Sequence, residues 1–313
     1  MNKLLNELLD GEHLTIHVLV TQVNKGITAK GSPYLSFLLQ DKSGTIDAKY
    51  WNVREEQLQL YKPGMLVAVT GDVLSHNKQL QFRISSIEIL DRSEVDLREF
   101  VQSSTIPRLE LKKNIEELIH SIQNNNIKSI LLTLLEEYEK DFYTYPAASK
   151  NHHNFVGGLA THVLGMLKLA EQVCVLYPTL NKDLLFGGVL LHDLGKLIEL
   201  SGPVITEYTM EGKLLGHISI MQAKVASIAE HLNIEGEEVI LLRHMILSHH
   251  GVYEYGSPVL PMLPEAEILF YIDNMDAKMN AMEKALDPIQ PGEFTPRIFS
   301  LDNRSFYKSK LKK

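Results

Sequence analysis

The sequence predicts a multidomain chain: a small closed barrel of five β-strands, followed by an all-α domain. Three observations predict it. Residues 14–90 alternate apolar with polar side chains and are rich in β-branched types. From Leu111 onward the apolar residues recur at threes and fours, the period of a helix face. Between the two patterns lies "DRSEVDLREFVQSSTIPRLE" (91–110), polar and Pro-punctuated as a linker is. At 313 residues the chain suits two domains or one large one, and can bury a sizeable core.

The strands come in order. "HLTIHVLVTQV" alternates, and "PYLSFLLQDKSGTIDAKYW" is two alternating runs joined by Asp41-Lys42-Ser43-Gly44, a hairpin signal. "GMLVAVTGDVLSHNKQLQFRISSIEIL" supplies two more, around Gly71 and a turn at Asn77. Five strands at this spacing suit an all-β five-stranded OB barrel over residues 1–90. Taking Leu35, Phe37, Leu39, Ile46, Ala48 and Tyr50 as inward leaves Tyr34, Lys49 and Trp51 outward. Two aromatics and a lysine form a stacking platform for bases with a phosphate contact, and Arg83, between inward Phe82 and Ile84, extends it. Packing of Trp51 and Tyr34 against the rest of the chain is the competing reading.

The helical part begins with leading helices at "NIEELIHSI" and "IKSILLTLLEEYEKDF", so that residues 91–145 are linker and leading helices. The remaining domain, 146–287, holds "GLATHVLGMLKLAEQVCVLY" and "DLLFGGVLLHDLGKLIEL" as helices, a short β-like excursion at "VITEYTMEGKLLG", and three further helices to Leu286. "MDAKMNAMEKAL" reads as core, with a subunit contact in a homo-oligomer as the alternative. Residues 288–313 carry three prolines within "DPIQPGEFTP" and the boundary before it, and are expected to run extended as a basic tail.

A net charge of −8 argues against a general nucleic-acid coat, but its distribution is uneven. Residues 1–90 hold nine basic and nine acidic side chains, so the acid excess lies beyond the barrel. The last ten residues, "RSFYKSKLKK", hold five basic groups and no acid, a tail able to touch a polyanion. No secretory signal opens the sequence, and no apolar run reads as a membrane span, so no membrane partner is expected. The single Cys174 excludes an internal disulfide framework; a small buried thiol in a cytoplasmic protein is the expectation.

Ligand-type residues stand on several apolar segments. His162 follows Gly157-Gly158, His192-Asp193 lie in "LLHDLGKL", His217 begins "HISIMQAKVASIAEHL", His249-His250 end "VILLRHMILSHHG", and Asp273 sits in "AEILFYIDNMDAKM". Singly, His162 or His217 reads as a satisfied core histidine, and His250 beside Gly251 as a helix cap. Together they make the donor set a metal site requires, because cations compensate the buried charge. Adjacent helical residues point about 100° apart, so His192 and Asp193 are not expected to bind one ion alike. Asp193 has two oxygens and can bridge two ions, which roughly 3.5–4 Å apart clamp a phosphodiester under attack. Lys196, at i+3 from Asp193, is placed to stabilise phosphate charge in the transition state.

His162, His192-Asp193 and Asp273 reproduce an H…HD…D signature, so residues 146–286 resemble the HD superfamily of metal-dependent phosphohydrolases. Members with those four ligands hold one metal, and His217 with His249 or His250 matches the subset holding two. The resemblance implies His162, His192, Asp193 and Asp273 around one ion. It implies Asp193, His217 and one of the paired histidines, His249 in preference to His250, around the other. His153, nine residues before His162, either faces the substrate or is an ordinary loop histidine.

"YLSFLLQDKSGTIDAKYW" resembles the core of anticodon-binding-type OB domains. The order barrel, linker helices, HD-type domain and "PGEFTPRIFSLDNRSFYK" tail resembles, over essentially the full chain, the YhaM family of bacterial 3′→5′ exoribonucleases. That implies metal-dependent removal of nucleotides from the 3′ end of single-stranded RNA, with single-stranded DNA as a further candidate substrate. The spacing of the residues reaches by itself only a two-metal phosphodiester hydrolase; a hydroxide mechanism releasing 5′-mononucleotides, with Asp193 and Lys196 as catalytic residues, is the expectation built on both. Manganese is the implied activator, with iron, cobalt, magnesium or zinc as substitutes. Three alternatives stand beside it: a nucleotide phosphohydrolase, a cyclic-dinucleotide phosphodiesterase, and a non-catalytic nucleic-acid-binding regulator. The second lacks its Gly-Tyr-Pro, since "GVYEYGSP" follows His250. The third has no chemical need for Lys196 and a full ligand set.

Overall fold

The computed structural model describes residues 3–28, 31–76, 79–91, 99–101, 103–147, 155–203 and 206–311. The chain divides into two units, Met1–Ser103 and Ser104–Lys313.

In the first unit β1 (His13–Ile27), β2 (Pro33–Asp41), β3 (Gly44–Trp51), β4 (Leu66–His76) and β5 (Gln79–Ile89) close a barrel in the order β1-β2-β3-β5-β4. The expected OB barrel is therefore present. Its long first strand serves two neighbours: His13–Leu19 pair with β4 and Leu19–Ile27 with β2, with a register shift between Val20 and Gln22. Such a bulge bends a strand enough to turn a barrel corner. Closure comes from the parallel pairing of β3 with β5, Asp47–Tyr50 against Gln81–Ile84. Leu35, Phe37, Leu39, Ile46 and Ala48 are buried and Tyr50 is partly so, because a pleated strand sends alternate side chains to one face. The β2–β3 turn is held by buried Asp41, whose Oδ1 accepts from the Ser43 and Gly44 amides at 2.7 and 3.2 Å, an Asx turn. The Asn77 turn falls outside the described residues.

The second unit contains α1 (Arg108–His120), α2 (Asn125–Phe142), α3 (Gly158–Leu176), α4 (Lys182–Leu191), α5 (Lys196–Glu199), α6 (Met210–His231), α7 (Glu237–Ser248) and α8 (Pro264–Leu286). Asn124, Asn181 and Thr209 cap α2, α4 and α6 by accepting from the amides of Ile127, Leu184 and Gly212. The leading helices are not peripheral. Leu111, Ile115 and Ile119 of α1 and Ile130, Leu131 and Leu134 of α2 share one core with α3, α4 and α7.

Helices α3 and α4 lie deepest. Against the sequence reading, α3 is long and apolar enough to cross a membrane, with 19 residues and mean hydropathy 1.4. Its N-terminal half packs in the core of the unit, where Leu159, Ala160, Val163, Leu164, Met166 and Leu167 are all buried. Cys174, expected to be buried, is partly exposed on the same helix.

Four further expectations are corrected. The helix expected over 183–200 stops at Leu191 and restarts at Lys196. The β-like excursion reduces to a bridge between Leu200 and Tyr208, and helix begins at Met210. In "MDAKMNAMEKAL" the side chains of Met275 and Met279 are 55% and 46% exposed, because only the first half of α8 contributes to the core. The C-terminal segment does not run extended. It doubles back through bridges Phe294–Tyr307 and Ile298–Arg304, turning at Asp302 and Asn303, both at positive φ. Asp and Asn adopt that conformation at less cost than other L-residues.

Candidate metal centre and nucleic-acid interface

Most of the ligand-type side chains sit at or near helix ends. After Leu191 the chain leaves α4, with His192 at its C-cap, and passes through a tight turn into α5. Gly195 in that turn lies against the start of the next ligand segment: an added Cβ would stand 2.3 Å from the His217 carbonyl oxygen. On that side Gly216 has φ 72°, which breaks α6 and starts a new helical run at His217. His249 is the C-cap of α7, and Asp273 lies in the middle of α8. His162 is on the first turns of α3. His192, which keeps helical backbone angles at the C-cap, and Asp193 beside it converge with the other candidates on one point.

That point is the Asp193 carboxylate, which is nearly fully buried. Its Oδ2 lies 3.4 Å from His192 Nε2, 3.9 Å from His162 Nε2 and 2.7 Å from Lys196 Nζ. Its Oδ1 lies 3.6 Å from His217 Nε2 and 3.9 Å from His249 Nε2. Asp273 Oδ1 stands 3.2 Å from His162 Nε2. Two donor groups result, His162, His192 and Asp193 in one and His217, His249 and His250 in the other, the atoms within each lying inside 4.8 Å. All seven sequence-predicted metal-ligand candidates and Lys196 are thus brought together. His153 lies outside the described residues.

Each imidazole is held from behind. His162 Nδ1 is 2.6 Å from Asp276 Oδ2, and His217 Nδ1 is 3.2 Å from Glu199 Oε1. His192, His249 and His250 donate from Nδ1 to the carbonyls of Val189, Ile246 and Tyr255 at 2.8, 2.7 and 2.8 Å. With Nδ1 fixed, the Nε2 atoms face the cluster. Those of His192, His217 and His249 are buried with no hydrogen-bond partner among the described residues. Buried polar atoms left unpaired are costly, and a divalent cation satisfies them all at once. The donors therefore fit a divalent metal, and the acceptors behind them are what orient metal-binding imidazoles.

The electrostatics agree. Burial alone would lift the Asp193 carboxyl, but Lys196, His192 and His217 outweigh it and hold it well below its usual range. Burial, then His192 and His250, keeps His249 neutral, the form with a lone pair to donate. Burial depresses His162 as well, yet Asp273 and Asp276 override it and push it up to about 9. Two carboxylates there call for positive charge.

Sequence reasoning missed Asp276 and Glu199. Asp276 sits three residues after Asp273, one turn away on the same helix. Glu199 is buried, accepts from the His217 amide at 3.1 Å and gives its own carbonyl to the Thr209 amide. Its one available signal was an acid in the apolar "KLIEL".

In the barrel unit, Tyr34 and Trp51 pair across β2 and β3 with ring centroids 4.7 Å apart, and Lys49 Nζ lies 5.3 Å from the Tyr34 ring centre. Trp51 is 42% exposed. Tyr34 lies across Gly26, where any Cβ would meet its ring at 2.3 Å. Arg83 stands beside Lys49 in register but turns its guanidinium onto Asp72 at 2.7 Å, so it does not extend the aromatic platform. A carboxylate one strand away out-competes open solvent for a guanidinium fork.

Residues 159–278 match the HD domain model, and residues 14–90 match an OB-fold nucleic acid binding domain model. Over 299 residues, 95% of this chain and 92% of the relative, the sequence is 51% identical to 3′-5′ exoribonuclease YhaM of Geobacillus sp. (strain WCH70). The chain belongs to the YhaM family of 3′-5′ exoribonucleases.

In this YhaM-family enzyme the clustered histidines and aspartates all fall in the HD-matched half. Among solved structures, the barrel is similar to the second OB-fold domain of replication protein A from Methanococcus maripaludis. That match has 24% identity over 29% of this chain and 97% of the other, with a TM-score of 0.24. The single-stranded DNA binding protein from Thermus aquaticus matches at 14% identity over 27% of this chain and 42% of the other, TM-score 0.24.

Proposed function

We propose that this YhaM-family enzyme removes nucleotides from the 3′ end of single-stranded RNA as 5′-mononucleotides, with two divalent cations, manganese first among them, as cofactor. The observation that carries the reading is the position of Asp193, one oxygen toward His162 and His192 and the other toward His217 and His249. In this reading His162, His192, Asp193 and Asp273 hold one ion, and Asp193, His217 and His249, with His250 beside them, hold the other. When bound, such a pair supplies a nucleophile at neutral pH and Lewis-acid stabilisation of the phosphoryl oxygens.

The chain's own groups do the rest. Asp276, Glu199 and the carbonyls of Val189 and Ile246 fix each imidazole so that Nε2 faces the phosphate site. Lys196, whose side chain is 14% exposed, balances the Asp193 charge and presents a cation where negative charge grows on the phosphate. The Tyr34–Trp51 pair and Lys49 retain the strand by stacking bases and meeting a phosphate. Single-stranded DNA offers the same phosphodiester and the same base faces, and is the second substrate of this reading.

Digestion of 5′-labelled single-stranded RNA, with and without manganese, tests it. A manganese-dependent ladder shortening from the 3′ end is expected. Discrete internal cuts, or cleavage confined to free nucleotides, would overturn it. Asp193→Ala should lose turnover while retaining strand binding; cleavage near the parent rate would remove Asp193 from its role.

A further inference from the structure

A cleft of about 550 Å³ lies between the second half of α8 and the folded-back C-terminal segment. That volume falls within the range of ligand sites. Its α8 wall includes Asn274, Lys278 and Lys284, and its opposite wall includes Ile298, Ser300 and Leu301. Neither lysine ammonium has a hydrogen-bond or ion-pair partner among the described residues. The acid in the lining, Asp302, is already paired with Arg304 at 3.3 Å. Two unneutralised cations in a concave wall favour an anion.

The cleft borders the metal centre at two places. Asn274 follows Asp273 directly on α8, and Tyr255, also in the lining, gives its carbonyl to His250 Nδ1 at 2.8 Å while its ring is exposed. From Asp273, Lys278 lies about 7.5 Å further along the helix and Lys284 about 9 Å beyond that. Both lysines line the cleft, at increasing distance along α8 from Asp273.

We propose that this cleft is the substrate subsite for the nucleotides preceding the scissile bond, with Lys278 and Lys284 contacting successive backbone phosphates and the Tyr255 ring stacking on a base. The ligand class is a single-stranded polynucleotide, and the proposal rests on the exoribonuclease reading above. It gives the second half of α8, which contributes no fully buried residue, a role that the metal centre alone does not. The backbone is met through charge, so recognition here is independent of base sequence.

The test measures binding rather than turnover. Full-length protein carrying Asp193→Asn, which leaves the strand intact, is titrated with fluorescently labelled single-stranded RNA over a range of salt. Adding Lys278→Ala and Lys284→Ala should raise the Kd about tenfold and flatten the log–log salt dependence by roughly 0.7 per lysine. Alanine keeps the helix, so folding is not at stake. Lys168→Ala on α3 serves as the control for loss of charge elsewhere. An unchanged Kd and slope, or an equal effect from Lys168→Ala, overturns the subsite. Digestion by the parent chain is scored separately: if it fails to shorten RNA from the 3′ end, the exoribonuclease reading falls, while the binding comparison still decides the cleft.

Discussion

The Nδ1 of His162 lies 2.6 Å from Oδ2 of Asp276, so a side chain on α8 sets the orientation of an imidazole on α3. Gly165, one turn after His162, leaves the room for it: a Cβ there would meet Asp276 Oδ1 at 2.7 Å. Replacing Asp276 by Asn retains the volume and removes the charge. Affinity for manganese should fall by roughly 10–100-fold, as for other groups behind a metal ligand. Isothermal titration of chelator-treated protein measures it, and an unchanged affinity would separate Asp276 from the centre.

Gly195→Ala tests the approach of the α4–α5 turn to His217. The added methyl meets backbone, not a flexible side chain end, and overpacking of that kind costs about 1–3 kcal/mol. Urea denaturation should show a lower midpoint, with a loss of metal affinity as His217 shifts. A variant with the parent's midpoint and affinity would mean that the turn moves freely.

Lys196→Met keeps the aliphatic stem and removes the ammonium 2.7 Å from Asp193. If the ammonium stabilises transition-state charge, kcat should drop by roughly 10²–10³-fold. Strand affinity should change little. A fall confined to KM would assign Lys196 to ground-state binding instead.

Chelation should destabilise the protein, because the buried Nε2 atoms of His192, His217 and His249 then stay unsatisfied. Metal at about 100 times its Kd adds roughly 2.7 kcal/mol to the state that binds it. Differential scanning calorimetry should register a rise in Tm of several degrees on adding manganese to the stripped chain. A Tm indifferent to manganese would argue that the donors do not hold it.

Trp51→Ala should weaken single-stranded RNA binding by about 1–3 kcal/mol, the scale of one base stacked on an aromatic ring. Arg83→Ala should have a much smaller effect, since its guanidinium is occupied by Asp72. Equal losses from both, in fluorescence anisotropy, would shift the contact surface toward β5.

Much of the centre was legible because its residues are costly to bury and therefore conspicuous in apolar surroundings. His192, Asp193 and Asp273 have no reason to stand in leucine-rich helices unless a cation meets them. The barrel was legible through Leu35, Phe37 and Leu39, whose alternation leaves one register open. Asp276 was not, since an acid one turn from another acid is what any solvated helix face carries. Nor was the break after Leu191, where "LLHDLGKL" continues the apolar period without interruption. The fold-back of the C-terminal segment depends on Asp302 and Asn303 at positive φ, and a polar pair between aromatics does not announce that. The exposure of Met275 and Met279 follows from which part of α8 packs into the core, and no local pattern records that.

Two of the buried histidines, His192 and His249, cap the C-terminal ends of α4 and α7 and donate to carbonyls three residues back. The C-terminal end of a helix carries roughly half a negative charge. Peptide dipoles from two helices are thus aimed at the place where cations are wanted, in addition to the carboxylates. A centre of this construction attracts cations through the ends of two helices as well as through its carboxylates.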